Sequence, residues 1–358
     1  MAMVHDKKKI VFFGCPLDCD EREETVQEKL QLMRTQNGED DPYWHVISLI
    51  RKEVPSDLWE EKGSIEVEEW LRPLPPQGAI EKIKVENFVE FLDSNGCYTY
   101  SRRVRDIVSQ IYPNIPCMIG IDHSLSVGAF NYLSEQVGPA NISMVVLDSH
   151  TDALSMSSLA SIISYDIETN PSSPFDPNDP FLKNRPEAIN ASSFLYHMIE
   201  AGSLDPRHLY IIGISDYPPK RSFRIKDIRV QEYVNQFLRL KRLGATLITK
   251  KEIVSSPSKL RHIIKTIRTP YFYISVDMDI GARNALHGVR FLDRKGLNER
   301  EIYRIIVYLK DLISKGTELI GLDLMEFNPR KANLEYLKQT DPVYHIAANI
   351  VKRLLLGL

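Results

Sequence analysis

Apolar residues along this chain gather into short runs, separated by longer stretches in which they recur every third or fourth position. The runs at 10–14, 45–50, 116–120, 142–147, 209–214, 245–249, 271–276 and 319–324 read as eight strands, and their near-continuous apolarity suits burial on both faces. Helical spacing predicts helices over 22–36 (Val26, Leu30, Met33), 80–92, 102–111, 124–136, 192–201, 226–243, 258–268, 299–315 and 342–356. Gly244 and Gly316 close two of them, and Asn95-Gly96 marks a turn between two others. Strands alternating with helices predict a parallel α/β sheet covered on both faces. Two stretches resist the pattern. Residues 51–77, with Trp59, Trp70, Pro73, Pro75 and Pro76, read as irregular covering structure. Residues 153–190 carry few regular signals, so they suit either a substrate-selecting lid or a surface insertion. No linker or repeat divides the chain, which reads as one domain, 1–358, with insertions near 51–77 and 153–190.

Three of the strand-like runs end in chemistry. The run 142–147 leads into Asp148-Ser149-His150-Thr151-Asp152, the run 116–120 into Ile121-Asp122-His123-Ser124, and the run 271–276 into Asp277-Met278-Asp279. Alternate residues of an extended segment share a side, so Asp148, His150 and Asp152 can converge on one point. The carboxyl ends of parallel strands are where ligands bind. A single Asp-x-His-x-Asp is a weak pattern, because aspartate often ends a strand as a turn or helix cap. Three such clusters in one chain favour a metal site built from His123, Asp148, His150, Asp152, Asp277 and Asp279. Carboxylates mixed with imidazoles suit Mn, Fe or Zn rather than Ca. Four ionised carboxylates call for two divalent ions to balance them.

Composition narrows the setting. Of the 358 residues, 43% are hydrophobic and 26% charged, as in ordinary globular proteins. A formal net charge of −3 offers no general attraction to nucleic acid or to an anionic membrane. No apolar run approaches the roughly 20 residues that span a bilayer, and 10–13 is too short for a signal peptide core. A cytoplasmic location is expected. Cys15, Cys19, Cys97 and Cys117 form no CxxC pair and read as reduced, small buried residues, with Cys15 and Cys19 near the first turn.

The set Gly-Ile-Asp-His-Ser (120–124), Asp-Ser-His-Thr-Asp (148–152), Ser-Val-Asp-Met-Asp (275–279) and Asp-Leu-Met-Glu-Phe-Asn-Pro (323–329) resembles the ureohydrolases: arginase, agmatinase and formimidoylglutamase. Phe13 to Asp18 looks like that family's first strand and turn. The resemblance covers nearly the whole chain. It implies an arginase-like three-layer α/β/α sandwich around eight parallel strands, two divalent ions (manganese by preference), and a homo-oligomer. One ion would be held by His123, Asp148, Asp152 and Asp277, the other by Asp148, His150, Asp277 and Asp279. Glu326 would pair with a small cationic guanidino or amidino substrate. A hydroxide supplied by the two ions would then attack the substrate's central carbon.

The substrate side departs from the family. Aligning Phe194 with the family's phenylalanine puts Asn190-Ala191 where His-Gly is usual, and asparagine is no general acid or base near pH 7. Ala282-Arg283 replaces Asp-Pro, and His287-Gly288 stands where Pro-Gly is expected. His287 is therefore a candidate proton carrier, with His197 behind it; either could instead simply face solvent. Arg283 suits a substrate carboxylate or a surface charge. Asp122 suits either the orienting of His123 or a helix cap. The expected activity is hydrolysis of a linear C–N bond. Its alternatives are a metal-stabilised binding or assembly protein that lost turnover with the shuttle histidine, and a one-metal, deacetylase-like amidohydrolase.

Overall fold

A computed structural model of the protein describes residues 8–32, 40–292, 294–332, 335–336 and 339–355. It contains one eight-stranded sheet built from β1 (Ile10–Cys15), β2 (Trp59–Ser64), β3 (Ile115–Gly120), β4 (Ile142–Leu147), β5 (Leu209–Ile214), β6 (Thr246–Thr249), β7 (Tyr271–Asp277) and β8 (Glu318–Met325). The order across the sheet is β2-β1-β3-β8-β7-β4-β5-β6, and every pairing is parallel. The expected α/β/α architecture is therefore what the chain adopts. β8 enters late in the sequence yet inserts between β3 and β7. That insertion brings the four motif-bearing strand ends side by side.

Alternation along each strand divides the core in two. Phe12, Ile119, Val145, Leu147, Ile274 and Leu324 face one layer, with the helices Pro42–Glu53, Pro257–Ile264, Glu299–Ile313 and Val343–Leu355. Val11, Phe13, Met118, Met144, Val146 and Ile211 face the other, with Glu23–Leu32, Val85–Asp93, Gly96–Ile111, Ser126–Val137, Phe194–Glu200 and Ile228–Leu243. The first helix is observed through Leu32; the predicted continuation with Met33 lies outside the described residues, as does Leu356 of the last helix.

One predicted strand is a helix. Residues 45–50 lie within Pro42–Glu53, where Asp41 accepts a hydrogen bond from Tyr43 N and proline occupies the first turn. Tyr43, Val46, Ile47 and Ile50 are its buried face, a 3.6-residue period that the compact apolar run concealed. The missing eighth strand is β2, inside the stretch taken for irregular cover. Its sequence Trp-Glu-Glu-Lys-Gly-Ser is largely exposed, as a charged edge strand should be. A second helix, Met156–Thr169, starts at the Ser155 cap within the segment that showed few signals. Residues 159–167 of it are all only half-buried, so its apolar stripe is weak. The irregular part beyond is tied down by Arg185, which pairs with Glu21 and Asp93. Among the described residues no helix is long and apolar enough to cross a membrane.

Candidate metal centre

All six residues drawn from three strand ends meet beyond the carboxyl edge of the sheet. His123 Nδ1 lies 3.5 Å from Asp148 Oδ2, 3.5 Å from Asp152 Oδ2 and 3.3 Å from Asp277 Oδ2. His150 Nδ1 lies 2.8 Å from Asp279 Oδ2 and 3.7 Å from Asp148 Oδ1. The side chains fall into two sets of donors, His123 with Asp148, Asp152 and Asp277, and Asp148 with His150 and Asp279. Asp148 belongs to both.

Register produces this convergence. Leu147 pairs with Val276, so Asp148 and Asp277 leave adjacent strands together. Gly213, next door on β5, has φ of 122°, and a Cβ there would sit 2.6 Å from Asp148 O. Only glycine lets that backbone come so close. Each buried aspartate then divides its labour. Asp148 Oδ1 accepts from His150 N, Asp277 Oδ1 from Asp279 N, and Asp279 Oδ1 from Ser149 N. The backbone thus anchors one oxygen of each carboxylate, while the second oxygen faces the centre. Asp152 takes a positive φ of 46° to join them, a strained conformation that an aspartate adopts more readily than most residues.

The inward atoms have no protein partner that would satisfy them. His123 Nδ1, Asp148 Oδ2 and Asp279 Oδ2 are buried without a hydrogen bond. Each such orphan costs about 1–3 kcal/mol unless something else satisfies it. Burial, reinforced by Asp152, Asp277 and Asp279, pushes the Asp148 carboxyl well above the usual range. Burial and then Asp279 do the same to Asp277. For His123, burial opposes protonation, but the facing carboxylates of Asp152 and Asp277 outweigh it and raise its pKa. Three inward orphan atoms, all lone-pair donors of hard or borderline character, fit divalent cations.

The orientation of His123 comes from residues that the sequence reading did not assign. Its Nε2 lies 2.8 Å from Ser275 Oγ, and Ser275 donates to Asp323 Oδ1 at 2.7 Å, while Tyr273 donates to the other Asp323 oxygen. Because the serine proton is directed to Asp323, Ser275 accepts from Nε2–H and leaves the Nδ1 lone pair facing the centre. The clue was available in the alternation Tyr273, Ser275, Asp277, and in the register that sets Ser275 beside Asp323. Asp216 was also missed. It accepts from Thr151 N and Thr151 Oγ1 and braces the loop carrying His150.

Asp122 lies beside this network but does different work. It caps the turn after β3 through Ser124 N and accepts from Cys19 Sγ and Arg290 Nη1. Arg290 Nη1 also lies 3.1 Å from Glu326 Oε1, which in turn accepts from His123 N. Glu326 itself has a φ of 67°. Burial pushes its carboxyl up to about 8, with Arg290 pulling the other way. Phe194 packs on the His123 ring at 4.6 Å, and Phe291 stands edge-on to His150 at 6.0 Å.

The remaining candidates lie outside the two donor sets. Asn190 Oδ1 accepts from Ser192 N and Ser193 Oγ and so caps the turn leading into Phe194–Glu200. His287 is held through Asp341, to which its backbone N–H donates, and its ring is half exposed. Arg283 is exposed and donates from Nε to Leu292 O. His197 is half-buried, and burial lowers its pKa. The four cysteines are free and buried.

The fold has its counterpart in known proteins. The Arginase family model matches residues 75–357, most of the chain, so this protein belongs to the arginase family. None of the curated proteins matches it in sequence. Among solved structures, the arginase of Bacillus caldovelox aligns with a TM-score of 0.58 at 16% identity over 98% of both chains. Formimidoylglutamase from Bacillus subtilis gives 0.57 at 14% identity, covering 99% of this chain and 88% of that one. Proclavaminate amidino hydrolase from Streptomyces clavuligerus gives 0.55 at 18%, covering 98% and 91%. At such identities the likeness is one of fold.

Proposed function

We propose that this chain is a binuclear-metal hydrolase that cleaves a linear C–N bond of a guanidino or amidino compound. One observation carries the reading: His123 Nδ1, Asp148 Oδ2 and Asp279 Oδ2 converge as buried, unpartnered lone-pair donors. His123, Asp148, Asp152 and Asp277 would hold one ion, and Asp148, His150, Asp277 and Asp279 the other. Two bound divalent ions supply a nucleophile from water at neutral pH and polarise the bond it attacks. The chain's own groups do the rest. Ser275 and Asp323 hold the His123 lone pair inward, and the backbone N–H groups at 149, 150 and 279 fix three of the carboxylates. Phe194 shields one side of the His123 ring from water. Glu326, joined to the centre through His123 N, receives a substrate N–H on its unpaired Oε2. Manganese and a homo-oligomeric state enter the proposal through the ureohydrolase resemblance, and a cytoplasmic location through the short apolar run at 10–13.

The test pairs metal analysis with a product screen. Manganese-loaded protein should bind two ions per chain and release urea, ammonia or formamide from arginine, agmatine, guanidinobutyrate or formiminoglutamate. Asp277→Asn should lose both metal and turnover. Two ions and full turnover in that variant refute the bridging role. Asn190, which cannot carry a proton and whose Oδ1 accepts from Ser192 N in the turn before Phe194–Glu200, favours a second reading in which the chain binds without turning over. Any product released at a useful rate eliminates it.

A further inference from the structure

A second group of potential ligands lies outside the His123 and Asp148 centre and differs from it in kind. Cys19 Sγ lies 3.5 Å from Cys97 Sγ and 3.2 Å from Asp122 Oδ2, while Cys97 Sγ is 4.0 Å from Asp122 Oδ1. All three residues are at most 1% exposed. They come from three separate segments: the turn after β1, the start of the helix Gly96–Ile111, and the residues just past β3. The cysteines stand 78 residues apart, so no local spacing announces them as a pair. Cys15 and Cys117, also buried, join no such group among the described residues.

We propose that Cys19, Cys97 and Asp122 hold a thiophilic divalent ion of the zinc type, at a site separate from the one proposed for hydrolysis and independent of that reading. Distances support the fit. Two thiolates on a tetrahedral zinc, each about 2.3 Å from it, stand about 3.8 Å apart, and a thiolate and a carboxylate oxygen about 3.6 Å. The observed 3.5 Å and 3.2 Å are within a few tenths of an ångström of these. Each oxygen of Asp122 faces one sulfur, so the set offers up to four donor atoms, two of them sulfur. Charge fits as well. Arg290 Nη1, 3.1 Å from Asp122 Oδ2, already balances that carboxylate. Exchanging two thiol protons for a dication leaves the total unchanged, so binding adds no net charge to a buried place. Sulfur selects the ion: thiolates favour zinc-like cations, whereas carboxylates and imidazoles also accept manganese. The bound ion would join three segments and close the long loop between the cysteines, which stabilises the fold.

Cadmium is the probe, because thiolates bound to it absorb in the ultraviolet by charge transfer from sulfur. The centre of histidines and aspartates has no sulfur and stays silent. Protein expressed in cadmium-supplemented medium meets the ion before the site closes. Purified in reduced form, freed of loose metal and reloaded with manganese, it should show the band from one sulfur-bound cadmium per chain. Cys19→Ser and Cys97→Ser should each lose most of it, and Cys117→Ser should keep it. Unchanged manganese content in the first two variants assigns the loss to this site alone. X-ray absorption at the cadmium edge of the unsubstituted protein should count two sulfur neighbours, so a variant that fails to fold still leaves a decisive measurement. No band in the unsubstituted protein, fewer than two sulfurs, or a band that survives intact in both serine variants overturns the proposal.

Discussion

The donor cluster and the surroundings of Glu326 lie side by side, joined through His123 N, yet are opposite in their chemistry. At the ends of β4 and β7 three carboxylates, Asp148, Asp277 and Asp279, each give one oxygen to a backbone N–H, and the second oxygens of Asp148 and Asp279 are left unpaired. Around Glu326 the charges are largely matched within the chain: Arg290 with Glu326 and Asp122, Arg22 with Asp20, Arg330 and Lys29 with Asp18. The same raw material, buried acids, is left open in one place and closed in the other. An open acid cluster is a receptor for cations, whereas a closed one holds shape and admits little more charge. The chain therefore leaves its candidate metal centre open, while the charges around Glu326 are internally neutralised.

The sharpest way to break this contrast is at Asp277. Replacing it with asparagine removes an inward oxygen without changing shape, and manganese affinity should fall by well over about 100-fold, beyond the usual loss for residues that merely support a ligand. Metal content after dialysis reads the result; retention of both ions would show that the cluster is not what its orphan atoms imply. Next in size is Arg330→Met on the closed side. Arg330 Nη1 lies 2.5 Å from Asp18 Oδ2, and Lys29 and Arg330 together hold that carboxyl below the ordinary range despite burial. Removing one partner of a buried pair costs about 3–5 kcal/mol. Urea unfolding should show that loss with metal affinity unchanged. Ser275→Ala sits between the two regions. It takes away the acceptor of His123 Nε2–H and should weaken metal binding about 10-fold while sparing the fold. An unchanged affinity would mean that the carboxylates alone orient His123.

The same contrast explains what the sequence revealed. Seven of the eight strands were legible as apolar runs, because strands buried on both faces write themselves as unbroken hydrophobicity. β2 was not, since an exposed edge strand reads as charged loop, and 45–50 was misread because a short run with four apolar residues does not distinguish a strand from a buried helix face. The metal donors were legible because they follow strands at fixed offsets. Arg290 was not, for its partners lie 168 and 36 residues away, and nothing local to it signals either contact. From alignment alone, Asn190 marked the loss of the shuttle histidine and His287 was its candidate replacement. Asn190 Oδ1 accepts from Ser192 N and Ser193 Oγ in the turn before Phe194–Glu200, and the backbone N–H of His287 donates to Asp341.

The last prediction concerns pH. Asp148 and Asp277 have folded pKa values raised above those of an unfolded chain, about 3.9. Metal-free protein thus holds protons on them, a stabilising contribution that is complete at low pH and lost as pH rises through the folded values. His123, also raised, behaves alike. A cation must displace these protons, so its affinity grows as they leave. The manganese-induced rise in melting temperature should therefore increase between about pH 5 and 8, by roughly 1.4 kcal/mol per pH unit for each proton displaced. Thermal melts with manganese and with chelator, compared at each pH, isolate this term from the closed ion pairs at Asp18 and Asp20, which are present in both samples. A manganese shift that stays flat across that range would place the bound ion away from the protonated cluster and so dissolve the distinction between the open acids and the closed ones.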